Sequence, residues 1–222
     1  MRRLTVISAG LSTPSTTRSI ADQLADAVST AVTARGETLQ IEVIEVKNLA
    51  VDLAHAMTNG GLSSEALDEA KRQVSQADGL IVVTPVFKAS YTGLLKLFFD
   101  VLDTDALNGM PTIIAATAGT ARHSLVLDYA LRPLLTYMRA VVVPTGIFAA
   151  TDDFGSEEGA GLVTRSNRAA AELAALIVAD TTGVDGLAGP LDQEHRPRKT
   201  GTDPTENFTP FSQLLAGYDG ES

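Results

Sequence analysis

GLIVVTPVFKASYTGLLKLFF, residues Gly79 to Phe99, is the stretch on which the fold turns. Leu80, Ile81, Val82 and Val83 form an unbroken apolar run between Asp78-Gly79 and Thr84-Pro85, which reads as a strand buried on both faces. A strand of that kind belongs to a parallel sheet with helices on either side. Tyr91, Thr92 and Gly93 lead into Leu94, Leu95, Leu97, Phe98 and Leu102, the apolar face of an amphipathic helix. The six residues between, Pro85 to Ser90, are neither apolar enough for a core nor polar enough for plain solvent exposure. Open α/β sheets bind ligands in loops at the carboxyl ends of their strands, so this loop is the first place to seek a site.

Outward from this unit the same alternation repeats. Leu4 to Ser8 is a short β-branched run that turns at Ala9-Gly10; Ile20, Leu24, Ala27, Val28 and Ala31 then recur at helical spacing until Arg35-Gly36. Leu39 to Val46 alternates Ile41 and Val43 with Glu42 and Glu45, as expected of a strand nearer the sheet edge. Asn48 to Gly61 reads as a long loop, and Ser63 as the cap of a helix running to Gln76. On the other side, Pro111 to Thr117 is a fourth strand, and Leu125, Leu127, Leu131, Leu134 and Leu135 mark one helix. Val141 to Phe148 is a fifth strand, followed by an Ala-rich helix from about Thr164 to Ala179. Five strand-helix units predict an α/β domain over residues 1–181, with a five-stranded parallel sheet, right-handed crossovers and helices on both faces. From Thr182 the composition shifts to Gly, Pro and charge, which predicts an extended tail over 182–222. Within it Phe208, Phe211, Leu214 and Leu215 fall on one stripe of a short helix.

At 222 residues and 45% hydrophobic content the chain suits one soluble domain plus a tail. The net charge of −10 argues against nucleic acid or an anionic membrane as partner, so any anionic ligand must be held by local donors. The chain has no cysteine, which excludes thiolate nucleophiles, thiolate metal sites and disulfides; redox chemistry would need a borrowed cofactor. The start, MRRLTVISAG, is interrupted by Ser8 and Gly10 too early for a signal peptide, and nothing later approaches a membrane span, so a cytoplasmic protein is expected.

The first loop, SAGLSTPSTTRS (Ser8 to Ser19), puts five of its hydroxyls, on Ser12, Thr13, Ser15, Thr16 and Thr17, between the strand end and the start of a helix. Free N–H groups and hydroxyls there suit a monophosphate, although an ordinary Ser/Thr helix cap has the same composition. Neither GxxxxGK[ST] nor GxGxxG is present. Thr117 to His123 follows the fourth strand as Pro85 to Ser90 follows the third, so three small or polar loops gather at one sheet edge. That layout is flavodoxin-like, with a flavin mononucleotide (FMN) phosphate in the first loop and the ring between the other two.

GLSTPSTTRS, TPVFKASYTGLLKLFFD and ATAGTARHSLVLDYALRPLL together resemble the NAD(P)H-dependent FMN reductases, especially those that supply reduced flavin to two-component monooxygenases. The resemblance runs from about Arg3 to Ala179. It implies that Ser12, Ser15, Thr16, Thr17 and Arg18 hold the phosphate, that Pro85, Val86, Phe87, Lys88, Ala89 and Ser90 pass along the isoalloxazine edge, and that Thr117, Ala118 and Gly119 close the other side. The first loop lacks the arginine that relatives often carry where Thr13 or Pro14 stands; either Arg18 compensates, or hydroxyls and amides suffice. The implied cofactors are FMN with NADPH or NADH, and the implied partner is a flavin-dependent monooxygenase. Hydride transfer needs stacking and distance rather than a protein acid or base, so no catalytic residue is expected. The alternatives in the same fold are a flavin-retaining quinone, azo or chromate reductase and a non-enzymatic electron carrier. Lys88 is equally read as a solvated lysine, His123 as a capping residue, and Asp128 with Arg132 as an ordinary i,i+4 pair. No metal site is expected from three scattered histidines. The apolar surface of the helix after Tyr91 and of the last helix predicts a homodimer or a tetramer of dimers.

Overall fold

The computed structural model describes residues 1–151, 158–179 and 198–201, with the backbone alone at 158–160. In chain order the elements are β1 (Arg2–Ser8), α1 (Thr16–Thr33), β2 (Leu39–Glu45), α2 (Ala50–Thr58), α3 (Glu65–Ser75), β3 (Gly79–Pro85), α4 (Gly93–Asp100), β4 (Pro111–Ala118), α5 (Arg132–Tyr137), β5 (Val141–Val142), β6 (Ile147–Ala150) and α6 (Glu158–Ile177). Every strand pairing is parallel, in the order β2-β1-β3-β4, with β5 and β6 both on β4. This is the flavodoxin-like order, with its switch point between β1 and β3.

The Gly79 run is central, as its composition requires. Leu80 and Val82 point into a core shared with α2, α3, α4 and α5, whereas Ile81 and Val83 point into the opposite core with α1 and α6. All four are fully buried, and each strand position therefore contributes to one of the two cores by the period of two along a strand. Side chains of this size contribute roughly 1.5–3 kcal/mol each on burial. Gly79 allows α6 to close on the strand: a Cβ there would stand 2.5 Å from Ile177 Cδ1.

Five details depart from the sequence expectations. The Asn48 to Gly61 stretch is not a long loop but a 3-10 turn, Val46–Leu49, followed by α2; Val46, Leu49, Leu53 and Ala56 recur at helical spacing and are buried against α4. The cap of α3 is Ser64 rather than Ser63, its Oγ accepting from the Leu67 N–H at 3.1 Å. The helix expected over Leu125 to Leu135 is a π-helical turn, Leu127–Leu131, running into α5, and Pro133 accounts for the break because it supplies no N–H for an α-helical bond. The fifth strand is two strands, β5 and β6. Pro144 cannot donate to the ladder, and Thr145 turns instead to Glu172 of α6, which accepts from its N–H at 2.9 Å and its hydroxyl at 2.7 Å. The last helix also begins earlier than expected, at Glu158.

The tail expected from Thr182, with its Phe208, Phe211, Leu214 and Leu215 stripe, lies outside the described residues except for 198–201. There the half-buried Arg198 donates to the Ala77 carbonyl and lies 3.2 Å from Met110 Sδ, at the amino end of the sheet, where burial pulls its pKa down.

Candidate active site

The strand order itself makes the crevice. β1 and β3 are neighbours, yet α1 packs on one face of the sheet and α4 on the other, so the two loops diverge from adjacent strand ends. Three bonds then interlock the loops. The Ala9 N–H donates to the Val83 carbonyl at 2.9 Å, and the Val86 N–H to the Thr117 carbonyl at 2.8 Å. The hydroxyls of Thr17, in the first turn of α1, and Thr117, at the end of β4, share a hydrogen bond of 2.8 Å, both side chains being buried.

The first loop folds as its hydroxyls predict at the helix end. Ser15 is the N-cap of α1, its Oγ accepting from the Arg18 N–H at 3.2 Å. Gly10 makes room for it, since a Cβ there would fall 2.2 Å from Ser15 Oγ. The Ser19 N–H bonds back to the Ser15 carbonyl, so helix geometry leaves the N–H groups of Thr16 and Thr17 without partners inside the helix. No acidic residue stands in this first turn, and the positive end of the helix dipole is therefore uncompensated.

Between the loops lies a cleft of about 640 Å³, lined by residues 12, 14–17 and 19 of the first loop, Pro85, Val86 and Phe87, then Thr117, Ala118 and Gly119, and finally Thr151. Its size is that of a small-molecule site, roughly 300–1,000 Å³. Among the described residues none of the lining carries a charge, although the chain holds 27 acidic residues. One wall is apolar, with Phe87 half exposed; the other offers hydroxyls and backbone. At Gly119 a Cβ would meet nothing, which leaves the backbone open to close approach.

Ten of the fourteen residues singled out from sequence meet in this cleft, Ser12, Ser15, Thr16, Thr17, Pro85, Val86, Phe87, Thr117, Ala118 and Gly119. The other four stand elsewhere. Arg18 pairs with Asp22 at 2.7 Å and Glu45 at 2.6 Å and borders a neighbouring cleft; its pKa is raised chiefly by the Asp22 bond, with Glu45 adding, against some desolvation. Lys88 and Ala89 form the exposed tip of a two-residue hairpin closed by paired bonds between Phe87 and Ser90. Their φ values of 51° and 65° are those of a type I′ turn. Ser90 faces a separate cleft between α4 and α5. His123 is exposed in a 3-10 turn capped by Thr120, and Asp128 pairs with Arg132 at 3.0 Å as an i,i+4 pair.

Sequence reasoning missed Pro14, Ser19 and Thr151. The signal for Thr151 was the rule already applied to the other strands, because it follows directly on the carboxyl end of β6; extending the fifth strand only to Phe148 hid it. No described helix is long and apolar enough to cross a membrane.

The family model for NADPH-dependent FMN reductase matches residues 2–155. An FMN reductase (NADPH) of Pseudomonas aeruginosa is 40% identical over 121 residues, 54% of this chain and 64% of that protein. An NADH-dependent FMN reductase, SfnF, of Pseudomonas fluorescens is 41% identical over 116 residues, 52% of this chain and 62% of its own length. The matches thus span a little under two thirds of these curated relatives. Among solved structures, an oxidoreductase from Corynebacterium diphtheriae is 67% identical with a TM-score of 0.78, covering 80% of this chain and 97% of that one. A family match over most of the chain, joined to a flavodoxin-like sheet and a cleft built from the same three loops, places the chain in the NADPH-dependent FMN reductase family.

Proposed function

We propose that the chain is an NAD(P)H:FMN oxidoreductase that takes hydride from NADH or NADPH to FMN and hands the reduced flavin to a monooxygenase. The observation that carries this is the cleft's division of labour: an anion-suited helix end at one side and, at the other, a described lining without charge and of mixed apolar and backbone character. The residues present fit FMN on that ground. The Thr16 and Thr17 N–H groups and the Ser12, Ser15 and Thr16 hydroxyls would hold the phosphate. Pro85, Val86 and Phe87 would flank one edge of the ring and Thr117 to Gly119 the other, with the hairpin at Lys88 and Ala89 beyond them. When bound, FMN supplies a ring that accepts a hydride, and the nicotinamide leaves oxidised by two electrons. The protein's part is to place and desolvate: the interlocked loops fix the slot, its apolar wall excludes water, and no side chain is asked to move a proton.

The same reading includes self-association. The cleft between α4 and α5, about 900 Å³, is lined by Tyr91, Phe99, Leu134 and Met138, with Tyr129 and Tyr137 80% and 84% exposed at its margin. A second copy covering this face would remove that apolar surface from water. Light scattering at micromolar concentration gives a dimer or tetramer mass if so, and a monomer mass refutes it.

Steady-state oxidation of NADH and NADPH at graded free FMN tests the activity. Rates that saturate with micromolar FMN support flavin as the substrate. A rate independent of added FMN, with flavin carried through purification, points to reduction of a quinone, azo compound or chromate at a retained flavin. Tight FMN binding without nicotinamide oxidation leaves an electron carrier.

A further inference from the structure

Arg18 is the cation that sequence puts nearest the phosphate loop, and the fold commits it to two carboxylates. A different cation reaches the loop. Lys47 sits in the 3-10 turn just after β2, and β2 lies beside β1, so the turn stands next to the first loop. Its Nζ donates to Thr13 Oγ1 at 3.3 Å and pairs with Glu45 Oε2 at 3.1 Å. The cleft that it lines, about 410 Å³, shares Ser12 and Ser15 with the larger cleft, so the two meet at the N-terminus of α1.

The charge balance around this point has a specific shape. Glu45 is bonded by both Lys47 and Arg18, and Arg18 is bonded in addition by Asp22. Asp26 borders the same cleft. Those contacts hold the Glu45 carboxyl below its ordinary range, the Lys47 bond contributing most, with burial opposing. If Lys47 turns from Glu45 toward an incoming anion, Glu45 keeps Arg18, so no carboxylate is stranded. Arg18 has no equivalent freedom, since leaving would take away the cation bonded to Asp22 as well as one of the two on Glu45. A phosphate monoester brings about −1.5 to −2 charge at pH 7, into a chain of net charge −10. The helix end offers only about half a positive charge against it.

We propose that Lys47 is the residue that makes this site prefer the phosphorylated flavin over the unphosphorylated one, by swinging from Glu45 to the phosphate held on the Ser12 to Thr17 loop. The proposal rests on the reading of the large cleft as the flavin site, and it adds a residue that nothing in the first loop's own sequence supplies.

The test is titration of flavin-free protein with FMN and with riboflavin, followed by quenching of flavin fluorescence, for the unaltered chain, Lys47→Gln and Lys47→Arg. A charged hydrogen bond is worth about 1.5–3 kcal/mol, so Lys47→Gln is expected to weaken FMN by about 10- to 100-fold and to leave riboflavin unchanged. Lys47→Arg is expected to keep most of the preference. The dependence of FMN binding on salt concentration should also flatten in Lys47→Gln. Because the FMN-to-riboflavin ratio is taken on one protein, partial unfolding of a variant does not mimic the effect. An unchanged ratio in Lys47→Gln, or equal losses of both flavins, overturns the proposal and leaves the flavin site standing. If the unaltered chain binds neither flavin, the functional reading falls, and this proposal with it.

Discussion

Replacing Thr17 by valine removes one partner of the buried hydroxyl pair that ties α1 to the end of β4 and keeps the shape of the side chain. Thr117 is 6% exposed although it lines the cleft, so its hydroxyl gains little hydration once Thr17 is gone. An orphaned buried polar group of this kind costs about 1–3 kcal/mol. For a chain of 222 residues that corresponds to a fall in Tm of roughly 2–12 °C, at about 2–4 °C per kcal/mol. Thr117→Val should cost a similar amount for the same reason. The double variant is the decisive one: with both hydroxyls replaced by methyls nothing buried is left unsatisfied, so stability should return to within about 1 kcal/mol of the unaltered chain. Thermal or urea unfolding of the four proteins closes a double-mutant cycle, and the expected coupling, the two single losses together less that of the double variant, is about 1–6 kcal/mol. Additive single-variant losses would refute the reasoning, because they would mean that the two hydroxyls act on separate partners rather than on each other.

Glu172→Ala leaves both the N–H and the hydroxyl of Thr145 without their acceptor at the break between β5 and β6, and a loss of about 1–2 kcal/mol in urea unfolding is expected; an unchanged midpoint would show that water replaces the carboxylate freely. Changing Lys88-Ala89 to Asn-Gly relieves two left-handed residues in a type I′ turn, and Tm should rise by a few degrees, about 1 kcal/mol. A fall in Tm would contradict the turn assignment. Glu45→Gln tests the carboxylate's pH dependence. Its folded-state pKa is held below the ordinary 4.5, first by Lys47 and then by Arg18, so its stabilisation is complete above about pH 4.5 and is lost as pH falls through the lowered value. The Tm gap between the unaltered chain and Glu45→Gln should therefore be widest near pH 6 and close toward pH 3; a gap independent of pH would sink the argument.

Legibility in this chain followed burial. Leu80 to Val83 could be read as a central strand because burial on both faces removes the polar residue that would otherwise alternate, and a largely β-branched run of that length between turn residues is too short for a buried helix. α2 could not be read in the same way. It has Leu49 where a capping side chain would stand, spans nine residues, and turns only Leu53 and Ala56 fully inward, so neither its start nor its period rises above a loop. The break at Pro144 was visible as a residue but not as a consequence, since its effect depends on Glu172 of α6 standing within reach, a contact across 27 positions. Arg18 and Lys47 exchanged places for a related reason. Spacing alone puts Arg18 by the loop, whereas the pairing of β2 with β1 is what carries Lys47 there and what brings Glu45 to hold Arg18 away.

The cleft's chemistry follows from the same separation of near and far in the chain. Each lining segment is short and, taken alone, an ordinary helix cap or strand end; Ser15 caps α1 whether or not an anion ever arrives. What turns the segments into a site is that the strand order makes β1, β3 and β4 consecutive neighbours, so that their three carboxyl ends open at one edge. Two backbone bonds and one hydroxyl pair then hold those ends together without a charged residue. In a chain with ten more acids than bases, the described lining is free of carboxylates, and Asp22 and Glu45, beside the first loop, are both bound by Arg18. The cation that sequence assigned to ligand binding thus neutralises the acids beside the loop, and under the proposed reading direct contact with an anion falls to backbone, hydroxyls and Lys47.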